Sequence, residues 1–595
     1  MRTYDPTWNL DSLYRGGSRS PEFRSHLDAC DAALDACGPS LSELPKRPGP
    51  EWARAILGLQ DVGACIWDAN SFVECLEAQD VSDALAGQLA GRVQTMNARR
   101  AMLLTEMESR LLAATEEEWK ELLSRPDLSA IAFTLNELRE IARLKMPPEK
   151  ERLVEELSVD GYHAWGRMYE KIAGSRRVEF EEEGKKLALS MGQVHNRLEN
   201  PDRDVRKRAF EKMESAWSEV AELAAIALNS QAGYRLSLYK NRGWESVLAE
   251  PLRINRIKRE TLEAMWSAVA DESARLVPYM KEKARLLGIE RLAWYDLAAP
   301  VGSSDRKFTY GEAAEFILEQ FGRFSEDLRD FARGALEKRW IEAEDRAGKR
   351  AGGFCTDFPL KGETRIFMTF GGSFGSVSTL GHELGHAYHS WIVKDLPFWA
   401  TQYPMTLAET ASTFSEMILS DAALEAASSD RERLALLRIQ ADDAVTMMMN
   451  LRARFLFETS FFDARRTKSL TVEELNAEMR KAEETAYRGA LDPNGYHPLF
   501  WASKLHFYIT GTPFYNFPYV FGYLFSNGIY ARAVLEGPSF ARKYAALLRE
   551  TGRGTCEEVA RKHLGVDLAK PEFWKSATDR AVEKADRFVA LAGRV

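Results

Sequence analysis

Cysteine is scarce in this chain. Six thiols, at positions 30, 37, 65, 75, 355 and 556, are spread over 595 residues, and none forms a Cys-x-x-Cys pair. That excludes a Cys-x-x-Cys metal or redox motif and reads as free buried thiols in a reducing cytosol, with Cys30 and Cys37 seven apart on one helix. Positive charge is also short, since 80 Lys and Arg against 89 Asp and Glu leave a formal net charge of −9. A nucleic-acid binder needs a basic face to displace phosphate counterions, so no nucleic-acid partner is expected. Long apolar runs are missing too. The richest stretch, residues 514–525, is interrupted by Asn516, Pro518 and Gly522, so no membrane partner is expected. The opening MRTYDPTWNLDSLYRGG has no apolar segment of the secretory kind, which points to a cytoplasmic protein.

What is present is ordinary globular composition, 45% hydrophobic and 28% charged, in a chain too long for one hydrophobic core. Two or more lobes are expected. Apolar residues recur at three and four spacings over 22–37, 51–75 and 80–115, a helical pattern that Met146-Pro147-Pro148 interrupts. Arg177–Phe180 and Lys186–Leu189 read as a hairpin around Glu183-Gly184. Asn200-Pro201-Asp202 then reads as a helix start, with Asn200 as cap and proline at the first position. Helices resume to about residue 340, and a soft boundary falls near 195. Residues 352–356 and 365–370 are β-prone and predict a small antiparallel sheet leading into a helix at 376. The glycines at 371, 372 and 375 lack the spacing and the βαβ context of a dinucleotide fingerprint.

The chemistry-bearing motif follows. In His382-Glu383-Leu384-Gly385-His386, helical spacing turns His382 and His386 to one side, where both imidazoles can hold one zinc ion. Glu383 lies about 100° round from His382, able to reach a water on the metal without binding the metal itself. With nine histidines and 89 acids in 595 positions, chance would produce this pattern about 0.02 times. The third ligand cannot follow the metzincin pattern, because position 392 is Ile392 and position 389 is His389. His389, one turn beyond His386, reads as a supporting or packing residue. Asp395 is too close and precedes Pro397, so it ends a helix. Glu409 is the better third ligand. Along 407–418 it shares one helix face with Ser412, Thr413 and Glu416 while apolar residues take the other, and Glu416 reads as a residue supporting the ligands.

Together these residues resemble the oligoendopeptidase F branch of the M3 (thimet oligopeptidase-like) metallopeptidases. The branch carries His-Glu-x-x-His followed a little over twenty residues later by Glu-x-x-Ser/Asp, matched here by Glu409-Thr410-Ala411-Ser412, 23 residues past His386. Further similarities are Trp8–Tyr14, Phe367–Phe374, Phe514–Tyr519 and Gly522-Tyr523-Leu524. The resemblance implies a mainly α, elongated two-lobed fold with a deep substrate channel, a 1–195 N-terminal helical region and a 196–595 catalytic domain. It implies one zinc ion and short peptide substrates, with the oligomeric state open between monomer and homo-oligomer. It also implies oxyanion donors from a late segment holding His506, Tyr508, Tyr515, Tyr519 and Tyr523. Tyr523 matches the family position best and His506 is second, while Val520 stands where distant relatives have a tyrosine. A phenol is a neutral donor at pH 7, suited to an oxygen that turns anionic only in the transition state.

Gly511 and Gly522 read as flexible points of that segment, and Gly371 and Gly372 could offer backbone amides to an extended substrate. Met447-Met448-Met449 reads as core, and Arg452 and Arg454 as solvated helix charges that could alternatively meet a peptide carboxylate. The function expected is a zinc metalloendopeptidase with Glu383 as general base. Two other readings stand beside it: a metallocarboxypeptidase, which needs a cation for the terminal carboxylate, and a non-catalytic peptide-binding protein with structural zinc.

Overall fold

The structure is a computed structural model that describes residues 3–182, 184–302 and 306–594. The chain is mainly helical, and it forms two compact units that interleave along the sequence. The first unit is Met1–Lys145, Arg306–Ala422 and Arg532–Gly565; the second is Met146–Asp305, Ala423–Ala531 and Val566–Val595. One of the boundaries between the units falls at Met146, where two prolines follow. Among the described residues, no helix is long and apolar enough to cross a membrane.

In the first unit, helices Pro21–Ser42, Pro50–Gln79 and Ala84–Ala113 pack on one another around Phe23, Leu27, Phe72 and Leu76. Each begins as the sequence dictates. Ser20 caps the first by accepting from Phe23 N, proline opens the second, and Asp83 accepts from Leu85 N and Ala86 N to open the third. Cys30 and Cys65 face each other between the first two helices and form a disulfide, so the expectation of six free thiols is corrected for these two. Cys37, Cys75, Cys355 and Cys556 are free. The Trp8–Tyr14 segment packs into the same core, with the Trp8 ring 5.7 Å from Phe367.

Strands β3 (Ile341–Glu342), β4 (Phe354–Phe358) and β5 (Glu363–Phe367) form a sheet in the order β3-β5-β4. The β4–β5 pair is antiparallel, as expected, but β3 runs parallel to β5, so the sheet is mixed. Parallel register continues past β5 through Met368 N to Glu342 O at 2.8 Å and Phe370 N to Ala343 O at 2.9 Å. The chain then turns into helix Phe374–Val393, capped by Ser373 accepting from Ser376 N, and this helix packs on β4 and β5.

In the second unit, β1 (Arg177–Glu182) and β2 (Lys185–Ser190) form the expected hairpin; of its turn, Gly184 has φ +73° and Glu183 lies outside the described residues. The helix expected to open at Pro201 starts at Arg203. Asp202 caps it by accepting from Asp204 N, while Asn200 Oδ1 accepts from Asp202 N and shapes the turn before it. Helix Pro571–Ala592 packs against Asp430–Val445, Arg259–Glu272 and Leu276–Leu286. Met448 and Met449 are fully buried, as the core reading expects. Arg454 departs from its reading, being 7% exposed and not a solvated charge.

Candidate metal centre

Helix Phe374–Val393 carries His382, Glu383 and His386, and helix Met405–Ala426 carries Glu409, Ser412 and Glu416; all six lie in the first unit. The two helices meet because of glycine. A Cβ on Gly385 would sit 2.5 Å from Ala411 O and 2.7 Å from Ser412 Cα, and one on Gly381 would sit 2.2 Å from a Leu419 methyl. Spaced four apart, these glycines face the second helix and admit its backbone, which sets Glu409 opposite the imidazole pair.

The resulting donor atoms form a near-equilateral triangle. His382 Nε2 and His386 Nε2 are 3.1 Å apart, and Glu409 Oε2 lies 3.5 Å from each. Donors sharing a tetrahedral ion at about 2.0–2.2 Å stand about 3.3–3.6 Å apart, so these three could hold one such ion. Their side chains are 21–25% exposed, which leaves a face open for water or substrate. Around them, Glu416 Oε1 lies 2.5 Å from His382 Nδ1 and fixes that ring, while Ser412 Oγ donates to Glu409 Oε2 at 2.7 Å.

The charges fit this arrangement. Burial opposes a proton on His382, but the Glu416 hydrogen bond, helped by the charges of Glu416 and Glu409, raises its pKa to about 9. Burial and then the His382 charge push His386 down, towards the neutral imidazole a ligand needs. Burial alone would raise Glu409, yet the two imidazoles and the Ser412 hydroxyl outweigh it and keep the carboxylate ionised. Glu383 is 6% exposed, its Oε2 has no hydrogen-bond partner, and burial foremost pushes its carboxyl up to about 7. A base with a pKa near neutrality is suited to moving protons. Gly353, just before β4, makes room for it: a Cβ there would meet Phe367 O at 3.2 Å and Glu383 Oε1 at 3.3 Å. Sequence reasoning missed Gly353, whose only signal was the Gly352-Gly353 pair.

His389 is fully buried and turns to packing. Its Nε2 is 2.8 Å from Thr551 Oγ1, and its ring stacks 4.0 Å from Tyr403, so it supports the helix and no ligand atom directly. Asp395 is exposed beyond the end of that helix. Gly371 N donates to Ser376 Oγ, and Gly372, at φ +74°, gives its carbonyl to Phe308 N, so both glycines serve the turn into the helix.

The late aromatic segment lies in the second unit and divides in two. His506, Tyr515 and Tyr519 cluster: the Tyr519 hydroxyl donates to Tyr515 Oη at 3.2 Å, and the His506 ring lies 5.0 Å from that of Tyr515. His506 Nδ1 is 2.8 Å from Asn516 Oδ1, and burial lowers its pKa to about 4. Tyr523 follows Tyr519 by one turn on helix Phe517–Glu536 and is half-buried. Tyr508 is a correction to the substrate-contact reading. It is 1% exposed, its ring stacks 3.6 Å from Tyr169, and its hydroxyl has no partner, which makes it core. Gly522 sits inside that helix and is no hinge.

The model of peptidase family M3 matches residues 197–579, a span that holds His382, Glu383, His386, Glu409, Ser412, Glu416 and the late segment from His506 to Tyr523. The chain belongs to peptidase family M3. Within that M3 chain, residues 110–177 also match the model described as oligopeptidase F. Among relatives, an oligoendopeptidase F homolog of Lactococcus lactis is 27% identical over 66% of this chain and 65% of its own length. The M3 chain therefore spans a little less than two thirds of that relative. Group B oligopeptidase PepB of Streptococcus agalactiae is 25% identical over 84% of this chain and 83% of its own length. Solved structures share the fold: a chain described as a peptidase of Chlamydophila abortus has TM-score 0.83 at 20% identity, covering 98% of both chains. An oligoendopeptidase F from Enterococcus faecium has TM-score 0.70 at 19% identity, covering 96% of this chain and 98% of its own.

Proposed function

We propose that this M3 protein is a zinc metalloendopeptidase that hydrolyses internal bonds of short peptides, with His382, His386 and Glu409 as the ligands of one zinc ion. The observation that carries the reading is the 3.1, 3.5 and 3.5 Å triangle of two imidazole nitrogens and one carboxylate oxygen. A set of two histidines and one acid, open on one face, is a catalytic donor set, whereas structural zinc favours closed, cysteine-rich shells. When bound, zinc supplies Lewis acidity that polarises a carbonyl and makes water a nucleophile near neutral pH.

The chain's own residues do the rest. Glu383 takes the proton from the attacking water on its unpartnered oxygen and returns it to the amine nitrogen as the peptide bond breaks. Glu416 holds the His382 ring through Nδ1, and Ser412 holds Glu409, so neither ligand must reorganise during the reaction. Tyr523, with His506, is assigned to donate to the carbonyl oxygen as it becomes negative, and Tyr515 and Tyr519 to substrate contact.

Digestion of a mixed peptide library, with cut sites read by mass spectrometry with and without a chelator, tests the reading. Chelator-sensitive cleavage within peptides blocked at both ends is expected. Removal of only terminal residues would favour the carboxypeptidase reading, and no chelator-sensitive cleavage would overturn both.

A further inference from the structure

The second unit holds a cavity of about 530 Å³ whose walls include Trp294, Arg438, Asp442, Arg454, Phe500 and Lys504. Glu199, Asp443 and Asn450, whose Oδ1 has no donor, also line it, yet several of its N–H groups are unmatched. Arg454, 7% exposed, gives Nη1 to Asn516 Oδ1 at 3.0 Å, but its Nε–H has no acceptor. The indole N–H of Trp294, 8% exposed, has none either, and neither has Arg438 Nε. Arg454 lies over the Phe500 ring at 5.1 Å and Lys504 over the same ring at 5.9 Å.

Among the described residues, no carboxylate forms an ion pair with Arg454 or Lys504. Asp442 is already taken by Lys283 at 2.7 Å, by Arg438 at 2.9 Å and by the Tyr279 hydroxyl at 2.6 Å. Burial therefore lowers Arg454 to about 10 and Lys504 to about 8, in the latter case with the Arg454 charge adding to the effect. A buried cation without a counter-charge is costly to keep, and unmatched N–H groups add to that cost. A planar anion with two acceptor oxygens would supply the acceptors that the Arg454 Nε–H and the indole lack and a counter-charge for the cations.

We propose that this cavity binds a carboxylate, and that the carboxylate is the free C-terminus of a peptide. The peptide source rests on the peptidase reading; the carboxylate chemistry does not. Inorganic phosphate would suit the same donors, so it forms a separate arm of the test.

The measurement is calorimetric titration of the Glu383→Gln protein, which needs no turnover, with an N-acetylated pentapeptide and with its C-terminal amide. The acid is expected to bind at least about tenfold more tightly than the amide. In Glu383→Gln/Lys504→Met, which keeps the aliphatic stem of a half-buried side chain, that preference is expected to shrink severalfold, with melting unchanged. Equal binding of acid and amide overturns the proposal, as does a preference that Lys504→Met leaves intact. Phosphate that binds at Lys504 while acid and amide bind alike overturns the peptide assignment. A wild-type protein that hydrolyses no peptide sinks the hydrolase reading alone, since the acid–amide difference is read without hydrolysis.

Discussion

Replacing Gly385 by alanine perturbs the close approach on which the metal centre depends. The new Cβ would stand 2.5 Å from Ala411 O, where ordinary contact begins at 3.4 Å, a deficit of about 0.9 Å against backbone that cannot rotate away. Helix Met405–Ala426 must then retreat by that order, carrying Glu409 with it. Metal–ligand distances tolerate about 0.2 Å, so the third donor would leave the shell. Overpacking costs about 1–3 kcal/mol, offset by about 0.5–1 kcal/mol from replacing a helical glycine, which leaves about 0–2.5 kcal/mol of net destabilisation. Zinc affinity should fall by about tenfold or more, beyond the range that outer hydrogen bonds usually set at its low end. Gly381→Ala is the control, because its Cβ meets the methyl end of Leu419, which can turn aside. Zinc titration against a competing chelator, alongside thermal melts, reads both. Wild-type affinity in Gly385→Ala, or equal loss in Gly381→Ala, would refute the reasoning.

Glu416→Gln weakens the hold on His382 Nδ1 and should reduce zinc affinity by about 10- to 100-fold, measured by the same chelator competition. With its folded pKa raised to about 9, metal-free His382 carries a proton at pH 7 that zinc must displace. Calorimetry of zinc binding in buffers of different ionisation enthalpy should show close to one proton released at pH 7, and less as pH rises through 9. Tyr508→Phe removes a buried hydroxyl without a partner and should leave turnover unchanged with stability equal or slightly higher by thermal melt. Tyr523→Phe should instead lower kcat by about 10²- to 10³-fold with the fold intact by circular dichroism.

The metal centre was legible because its logic is local. His382, Glu383 and His386 sit on one helix, where spacing alone sets direction, and Glu409 shares a helix face with Ser412 and Glu416 that the apolar pattern marks out. The hairpin and the β4–β5 pair were legible for the same reason. What was hidden depends on contacts distant in sequence. Strand β3 is two residues long and exists only through its pairing with β5. Cys30 meets Cys65 because two helices pack side by side, which spacing does not encode. Tyr508 and Arg454 have the composition of site or surface residues, but Tyr169 and Asn516, far apart in the chain, bury them. At the Asn200–Asp202 turn two capping residues competed, and the backbone placed the second one at the helix start.

The central claim is that Glu383 moves the proton at a zinc ion held by His382, His386 and Glu409. Steady-state hydrolysis of an internally quenched peptide by zinc-loaded Glu383→Gln, with bound metal quantified on the same sample, tests it most directly. The account predicts one zinc per chain and turnover lowered by at least about 10²-fold. Near-wild-type turnover in the zinc-loaded variant would contradict it.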